Sequence, residues 1–267
     1  MTGVVIRARL DAELVRRGLA RSRQQAAELI EQGRVAVRGV TAGKPATVVD
    51  RDTPVTLTDT GEREWASRGA HKLIGALDAF AVDVTGARCL DAGASTGGFT
   101  DVLLDRGAAH VVAVDVGYGQ LIWRLQSDDR VEVHDRTNVR ALEPEPIGGP
   151  VDLTVADLSF ISLRTVLPAL VACTAADGTL VPMVKPQFEV GRERLGSGGV
   201  VRDPALRLAA LTEVTAVART LGLVLRGAVA SPLPGPSGNV EFFLLLGRTG
   251  TDAGDGALAT AVRDGPA

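Results

Sequence analysis

Asp91-Ala92-Gly93-Ala94-Ser95-Thr96-Gly97-Gly98-Phe99-Thr100 is the stretch that decides the fold. It follows a short apolar run at 87–90 and leads into a helical pattern that ends at Gly107. This order predicts a strand, a glycine-rich turn and a helix. Gly93 and Gly97 allow the backbone to bend tightly and to approach a ligand closely, which a Cβ atom would obstruct. A helix that begins just after the second of them would point its free N–H groups at that ligand.

A second apolar run, at 110–114, ends in Asp115, which lies 24 positions after Asp91. At the end of a neighbouring parallel strand, such a carboxylate is placed to bind ribose hydroxyls. The spacing differs from the dinucleotide-binding pattern G-x-G-x-x-G, because an acid precedes the first glycine and the next follows four positions later. The alternative is a bare strand-to-helix turn in some other nucleotide-binding α/β protein. The matched pair of acids makes that alternative the weaker one.

The two acids and the glycines between them resemble the donor-binding motifs of the S-adenosylmethionine-dependent methyltransferases. This resemblance implies S-adenosylmethionine as methyl donor and no metal ion. Asp115 resembles the ribose-binding acid of those enzymes, whereas Asp135 either lies near the adenine or merely begins a turn. The residues that the resemblance assigns to the donor are Asp91, Gly93, Ala94, Ser95, Gly97, Gly98, Asp115, Asp135 and Asp157.

Length and composition are those of an ordinary globular protein. A chain of 267 residues, 45% hydrophobic and 23% charged, has room for an α/β domain and a smaller one. No apolar run approaches the length of a membrane span, and the first residues lack the apolar region of a secretory signal. We therefore expect a cytoplasmic protein with no membrane partner. Cys89, Cys173 and the scattered histidines suggest neither a disulfide framework nor a metal site.

The net charge of −3 conceals a basic head on an acidic body. Residues 1–44 contain nine Arg or Lys and four Asp or Glu, a balance of +5, which leaves −8 for the remainder of the chain. Positive charge clustered in this way predicts a polyanionic partner.

The basic head has the pattern of two short helices followed by a strand. The helices end at Gly18 and Gly33, Ser22 can cap the second, and the strand alternates at 34–38. The segment 7–60 resembles the alpha-L RNA-binding motif, named for a small-subunit ribosomal protein and also found in pseudouridine synthases. A charged, solvated helix pair is the alternative. The resemblance implies contacts with phosphates and RNA shape more than with base edges, made by Arg7, Arg9, Arg16, Arg17, Arg21 and Arg23.

From residue 87 onward, apolar strand patterns alternate with helical ones, which predicts a parallel sheet flanked by helices. The last two strands, at 223–230 and 239–246, would form an antiparallel pair. The fold prediction is an α/β, Rossmann-like S-adenosylmethionine-dependent methyltransferase sheet with an antiparallel edge pair, preceded by a small α+β alpha-L RNA-binding domain. The predicted domains are 1–62 for the RNA-binding domain, 63–66 for the linker, 67–248 for the methyltransferase domain and 249–267 for a disordered tail.

Four further polar residues stand beside the ends of predicted elements: Lys72, Asp157, Lys185 and Glu241. In open parallel sheets, the ligand crevice lies beyond the carboxyl ends of the strands. In chain order, the four resemble the Lys-Asp-Lys-Glu tetrad of the FtsJ-like ribose 2′-O-methyltransferases. Their surroundings resemble one branch of that family, the TlyA rRNA cytidine-2′-O-methyltransferases, some of which are labelled haemolysins. The resemblance covers nearly the whole chain and implies ribosomal RNA as the partner.

A ribose hydroxyl is a poor nucleophile, whereas a sulfonium is a strong methyl donor. The enzyme must therefore align the 2′-oxygen with methyl and sulfur and help to remove its proton. The resemblance implies that Lys185 is the base and that Lys72 is a neighbouring charge that helps to hold the nucleotide. Asp157 would orient Lys185 and lie near the methionine part of the donor, and Glu241 would position Lys72 or the ribose. Taken singly, each of the four could be an ordinary solvated or capping residue.

We therefore expect an S-adenosylmethionine-dependent 2′-O-ribose methyltransferase that acts on ribosomal RNA, with a cytidine as the expected target. Two alternatives come from other classes of protein. A haemolysin or pore former would need a membrane-spanning or strongly amphipathic segment, and none is visible. A non-catalytic RNA-binding protein would not need four tetrad residues. A pseudouridine synthase would share the basic head but would not need the donor loop.

Overall fold

The computed structural model describes residues 7–58 and 63–266. The chain forms two compact units, which divide between Glu64 and Trp65. This division falls inside the segment 63–66 that was predicted as the linker. Each unit has its own buried core.

The smaller unit is an α+β domain. In chain order its elements are β1 (Arg7–Arg9), α1 (Leu10–Arg16), α2 (Arg23–Glu31), β2 (Val35–Val37), β3 (Val40–Thr41), β4 (Val48–Asp50) and β5 (Val55–Leu57). Strand β2 pairs antiparallel with β3 and β5, and β1 pairs antiparallel with β4. Ser22 caps α2, as predicted, by accepting a hydrogen bond from the Gln25 N–H at 3.2 Å.

The core of the smaller unit comes from one face of each helix. Leu10 and Leu14 of α1, which are four positions apart and therefore share a face, are fully buried. Leu29 and Ile30 of α2 join the same cluster. Arg16 of α1 and Arg23 of α2 lie outside this cluster, at the surface of the unit.

The larger unit is built around a sheet that has seven strands in the described part of the chain. They are β6 (Arg88–Ala92), β7 (His110–Val114), β8 (Val131–His134), β9 (Val151–Ala156), β10 (Thr174–Val184), β11 (Val224–Ala230) and β12 (Phe242–Gly247). Their order across the sheet is β11-β12-β10-β9-β6-β7-β8. Strands β6 to β10 run parallel, whereas β12 runs antiparallel to both β10 and β11. The predicted sheet with an antiparallel edge pair is confirmed.

Helices cover both faces of this sheet. They are α3 (Gly69–Phe80), α4 (Gly98–Asp105), α5 (Trp123–Gln126), α6 (Leu163–Cys173), α7 (Pro186–Glu189), α8 (Pro204–Thr220) and α9 (Asp255–Asp264). Alternate residues of a strand point to opposite faces, so Cys89 belongs to one buried cluster and Leu90 to the other. Helices α3 and α4 contribute to the first cluster, and α6, α8 and α9 contribute to the second.

The prediction of a disordered tail at 249–267 is wrong. Helix α9 lies in this segment, and its Leu258 and Ala261 are 0% and 5% exposed within the core that α6 and α8 also line. The glycine-rich and acidic composition of the segment conceals a short apolar face, in which Leu258, Ala261 and Val262 recur at helical spacing. The helix forms because the sheet offers this face a place to pack, which composition alone does not reveal.

We expect the Leu258→Ala substitution to lower the free energy of unfolding of the larger unit by about 2–4 kcal/mol, because it leaves a cavity at a fully buried position. Chemical denaturation followed by circular dichroism measures this change. Thr260→Ala, at an exposed position of the same helix, is the matched control and should have little effect. Equal stabilities of the two variants would contradict the packing of α9.

Candidate active site

The tetrad and the glycine-rich loop lie at one edge of the sheet, beyond the carboxyl ends of its parallel strands. Lys185 follows β10, Asp157 follows β9, and the loop follows β6, and these three strands lie side by side. Strand β12 runs in the opposite direction, so its beginning lies at this same edge. Glu241 directly precedes β12, and Val184 faces Phe242 in the strand register. Glu241 and Lys185 each lie one residue beyond this pair, at the same edge of the sheet.

Lys72 and Glu241 form a buried ion pair. Lys72 lies on the inner face of α3, and its Nζ is 2.5 Å from Glu241 Oε2. The two side chains are only 6% and 1% exposed. Removing two charges from water is costly unless the charges are paired at close range. The pairing therefore holds the amino group of Lys72 at a defined position beside the start of β12.

Lys185 forms the second ion pair of the tetrad. Its Nζ lies 2.5 Å from Asp157 Oδ1 and donates a hydrogen bond to Ser159 Oγ at 2.9 Å. The two contacts together hold the amino group of Lys185 at the end of β10. Asp157 is itself held by its backbone N–H, which donates to the Ala92 carbonyl at 3.0 Å. Sequence reasoning missed Ser159, a residue type too common in loops to stand out.

The glycine-rich loop has no room for side chains at its turns. Gly93 has a φ of 90°, and a Cβ atom there would lie 2.5 Å from the Asp157 carbonyl oxygen. Gly97 has a φ of 100°, and a Cβ atom there would overlap the side chain of Leu125. Both positions therefore require glycine for backbone conformation and for close packing. Helix α4 begins at Gly98, so its first N–H groups face the loop.

Asp115 and Asp135 shape the backbone around this loop. Asp115 accepts hydrogen bonds from the Ser95 N–H at 2.9 Å and from the Gly117 N–H at 2.6 Å. Asp135 accepts one from the Gly119 N–H at 2.8 Å. Each carboxylate oxygen carries two lone pairs, so Asp115 retains acceptor capacity for a ligand hydroxyl.

Asp91 is completely buried at the end of β6. Its Oδ2 accepts a hydrogen bond from Thr100 Oγ1 at 2.7 Å, whereas its Oδ1 has no hydrogen-bond partner among the described residues. Burial raises the pKa of this carboxyl to about 7, against the opposing effect of the Thr100 hydrogen bond. A cation bound nearby would favour the ionised form. Ala94, three residues further along in the glycine-rich loop, is also buried. Its backbone N–H donates a hydrogen bond to the Val114 carbonyl at 3.1 Å.

Two phenylalanines that sequence reasoning left without a role flank the tetrad. Phe160 is 93% exposed, and its ring centroid lies 5.3 Å from that of Phe188. Phe160 has a φ of 63°, a strained backbone conformation for a bulky residue and one that is concentrated at functional sites. Each phenylalanine follows a tetrad residue, Asp157 or Lys185, by three positions in a chain with only 3% aromatic residues. That repeated spacing was the signal available in the sequence.

In the smaller unit, two buried acids organise the predicted RNA-binding arginines. Asp11 accepts hydrogen bonds from Arg9 and Arg23, and Glu13 accepts them from Arg16. These bonds hold the pKa of each acid at about 2, well below its usual range, despite the opposing effect of burial. The side chains of Arg9, Arg16 and Arg23 stay 50%, 46% and 60% exposed. They are thus held in place with donors still facing solvent.

Arg17 differs from the other predicted arginines. It donates to Glu13, to the Thr53 carbonyl at 2.8 Å and to the Arg51 carbonyl at 2.8 Å, and its side chain is only 19% exposed. Its guanidinium therefore braces α1 against the turn between β4 and β5 and does not belong to the exposed arginine surface. That surface consists of Arg7, Arg9, Arg16, Arg21 and Arg23.

Within 7–58 and 63–266, no group of three or more His, Cys, Asp or Glu side chains is arranged to hold a metal ion. Cys89 and Cys173 are buried free thiols. Among the described helices, none combines the length and the apolar character that crossing a membrane requires.

Comparisons with known proteins match both units. Residues 65–248 match the FtsJ-like methyltransferase model and residues 8–55 match the S4 domain model. The chain is 63% identical over 266 residues to the 16S/23S rRNA (cytidine-2′-O)-methyltransferase TlyA of Mycobacterium tuberculosis, covering 97% of this chain and 99% of that protein. It is 34% identical to Hemolysin A of Brachyspira hyodysenteriae, covering 88% and 97% of the two chains.

A solved structure extends the similarity to three dimensions. A protein from Streptococcus thermophilus, provisionally described as a haemolysin, superposes with a TM-score of 0.77 at 37% identity, over 98% of this chain and 96% of that one. The S4 domain precedes the FtsJ-like domain, which is the order that the sequence motifs indicate. The chain therefore belongs to the FtsJ-like methyltransferase family and, within it, to the TlyA group.

Proposed function

We propose that this protein transfers a methyl group from S-adenosylmethionine to the ribose 2′-hydroxyl of a cytidine in ribosomal RNA. The name of the Mycobacterium tuberculosis relative gives the target, the cytidine 2′-O position of 16S/23S rRNA. The observation that carries the proposal is the pair of ion pairs, Lys72–Glu241 and Lys185–Asp157, at the sheet edge that also holds the glycine-rich loop. As an enzyme of ribosomal RNA, it would work in the cytoplasm.

The donor residues support S-adenosylmethionine, and the proposal involves no metal ion. Gly93 and Gly97 let the loop turn tightly against Asp157 and Leu125, where a Cβ atom would collide, and Asp115 has acceptor capacity for ribose hydroxyls. Asp91 has a buried oxygen without a partner among the described residues. A nucleoside joined to a cationic amino acid suits this combination, because its ribose needs acceptors and its positive charges need carboxylates. When bound, it supplies an electrophilic methyl group.

Lys185 is the proposed base. Asp157 and Ser159 hold its Nζ at the sheet edge, where a ribose hydroxyl can approach. In its neutral form, Nζ would accept the proton of the 2′-hydroxyl while that oxygen forms its bond to the methyl carbon and the bond from methyl to sulfur breaks, so that the donor leaves as a neutral thioether. Lys72, held by Glu241, contributes a positive charge that binds the nucleotide. The reaction thus depends on alignment and on one proton transfer.

Phe160 and Phe188 are proposed to hold the base of the target nucleotide. Proteins that recognise single-stranded RNA stack unpaired bases on aromatic side chains. Stacking of a base on an aromatic side chain contributes about 1–3 kcal/mol to the free energy of binding. The 93% exposure of Phe160 and its place three residues after Asp157 support this role. The exposed arginine surface of the smaller unit would bind RNA phosphates, with little dependence on sequence.

In the Lys185→Ala variant, we expect single-turnover methyl transfer to ribosomal RNA to fall by about a hundredfold or more, the usual scale for loss of a general base. The wild-type rate should rise with pH as the base loses its proton, and the variant should lack this rise. Mapping of 2′-O-methyl groups in the product RNA should place them on cytidines.

Lys185→Arg separates a base from an electrostatic anchor, because arginine keeps its charge and does not lose a proton at neutral pH. Near-native rates in this variant would show that Lys185 is not the base. Lys44→Ala changes an exposed lysine of the smaller unit and is the matched control. It should retain the pH dependence of the wild type.

Gly93→Ala should weaken S-adenosylmethionine binding by at least about tenfold, or about 1.4 kcal/mol, because its Cβ would lie 2.5 Å from a backbone oxygen of the site. Isothermal titration calorimetry measures the affinity. Gly222→Ala is the control, since Gly222 has a φ of 79° but open space around it, and so imposes backbone strain without a clash. Equal donor affinities in the two variants would remove the loop from the donor site.

Arg21→Ala should weaken RNA binding and lower the slope of log affinity against log salt by about one, because it removes one phosphate contact. Its stability should be unchanged, since Arg21 is exposed. Arg17→Ala should instead destabilise the smaller unit, whose turn it braces. Thermal melts and RNA titrations measure both effects. A loss of RNA affinity in Arg17→Ala with full stability would contradict this assignment.

A further inference from the structure

The segment that follows Lys185 ends in a buried carboxylate that has no part in the proposed reaction. Glu189 is the last residue of α7 and is 3% exposed. It accepts hydrogen bonds from Ser162 Oγ at 2.5 Å and from the Leu163 N–H at 2.7 Å. Ser162 is the N-cap residue of α6 and Leu163 is the first residue of that helix. Glu189 lies in the segment that follows β10, and α6 begins at the end of the segment that follows β9. The carboxylate thus joins the two segments by accepting a hydrogen bond from an otherwise free N–H of α6.

Arg164 strengthens the same junction. Its Nε donates to Glu189 Oε2 at 3.2 Å, and its Nη2 donates to the Glu189 carbonyl at 3.0 Å. Its Nη1 donates to Glu213 of α8 at 2.6 Å. The buried charge of Glu189 is thereby compensated, as a charge removed from water must be. The junction ties the start of α6, the end of α7 and the middle of α8 together.

The junction closes two active-site segments into a ring. At one end of the ring, β9 and β10 are paired in the sheet, with Ala156 opposite Pro182. At the other end, Glu189 is bonded to the start of α6. Three contacts cross the space between these two ends: Lys185 with Asp157, Lys185 with Ser159, and Phe160 with Phe188.

We propose that Glu189 is a positioning residue for methyl transfer, which sets the separation of the two segments and so holds Ser159 and Asp157 against Lys185. Sheet pairing fixes the segments only where they leave the strands, so the contacts farther out need a second anchor. Displacement of a reacting group by about 1 Å can cost a hundredfold in rate. The effect on rate rests on the proposed function, whereas the effect on the surroundings of Lys185 does not.

The surroundings of Lys185 can be measured without activity. The sequence contains three lysines, Lys44, Lys72 and Lys185. Brief labelling with acetic anhydride, followed by peptide mass spectrometry, measures the acetylation of Lys185, and the other two lysines serve as internal references. Glu189→Gln keeps the shape of the side chain and removes its charge. In this variant we expect labelling of Lys185 to rise severalfold, with labelling of Lys44 and Lys72 unchanged.

Single-turnover kinetics on ribosomal RNA supply the second readout. Glu189→Gln should slow methyl transfer by about tenfold or more, with a pH–rate profile displaced from that of the wild type and with unchanged affinity for donor and RNA. Glu213→Gln is the matched control, because it removes the other carboxylate bound by Arg164 and leaves the Ser162 and Leu163 bonds intact. It should resemble the wild type in labelling and in rate.

Wild-type labelling of Lys185 in Glu189→Gln would overturn the inference, whatever the activity. A lowered melting temperature with wild-type labelling and pH–rate profile would also overturn it, since Glu189 would then be only a helix cap. If Glu189→Gln does not fold, Ser162→Ala removes one of the same hydrogen bonds and should also raise labelling of Lys185. Failure of the wild-type protein to methylate RNA would contradict the proposed function, and the labelling result would still decide the role of Glu189.

Discussion

A charge can be held inside a protein only when an opposite charge or several hydrogen bonds accompany it, and the active-site edge depends on this constraint. Lys72 comes from α3, near the start of the larger unit, and Glu241 comes from the start of β12, near its end. Neither could be buried without the other. Their pairing therefore holds α3 and β12 at a defined distance beside β10, where Lys185 lies.

Carboxylates that pair with basic side chains organise both units. In the smaller unit, Asp11 and Glu13 hold arginines in place while most of those side chains stay half exposed. In the larger unit, Asp157 and Glu241 hold the two lysines of the tetrad. A cationic side chain that must meet RNA is long and has many rotamers, and an acid at its base removes much of that freedom before the RNA arrives. Under the proposed function, the acidic residues would thus contribute to the binding of a polyanion.

Much of this arrangement is predictable from the sequence because it follows from strand ends. Asp157 and Lys185 each follow an apolar run, and parallel strands bring such positions to one edge. Glu241 precedes its strand, so its place at that edge depends on the antiparallel direction of β12, which the hairpin-like pattern at 223–246 indicates. The sequence could not show that Arg17 turns inward to the β4–β5 turn, or that α9 packs on the sheet. Both depend on contacts between segments that are far apart in the chain, and local patterns carry no information about such contacts.

The ion pair between Lys72 and Glu241 joins positions that are 169 residues apart in the chain. Protein synthesis delivers the first of these long before the second. The glycine-rich loop and its strands can assemble during translation, but Lys72 has no counter-charge until β12 has emerged, and its burial is unfavourable until then. This edge of the sheet therefore matures late, after most of the larger unit has been made, and only α9 remains to emerge and pack after β12. An enzyme whose proposed substrate is ribosomal RNA thus stays incomplete while most of its own chain is still being made on a ribosome.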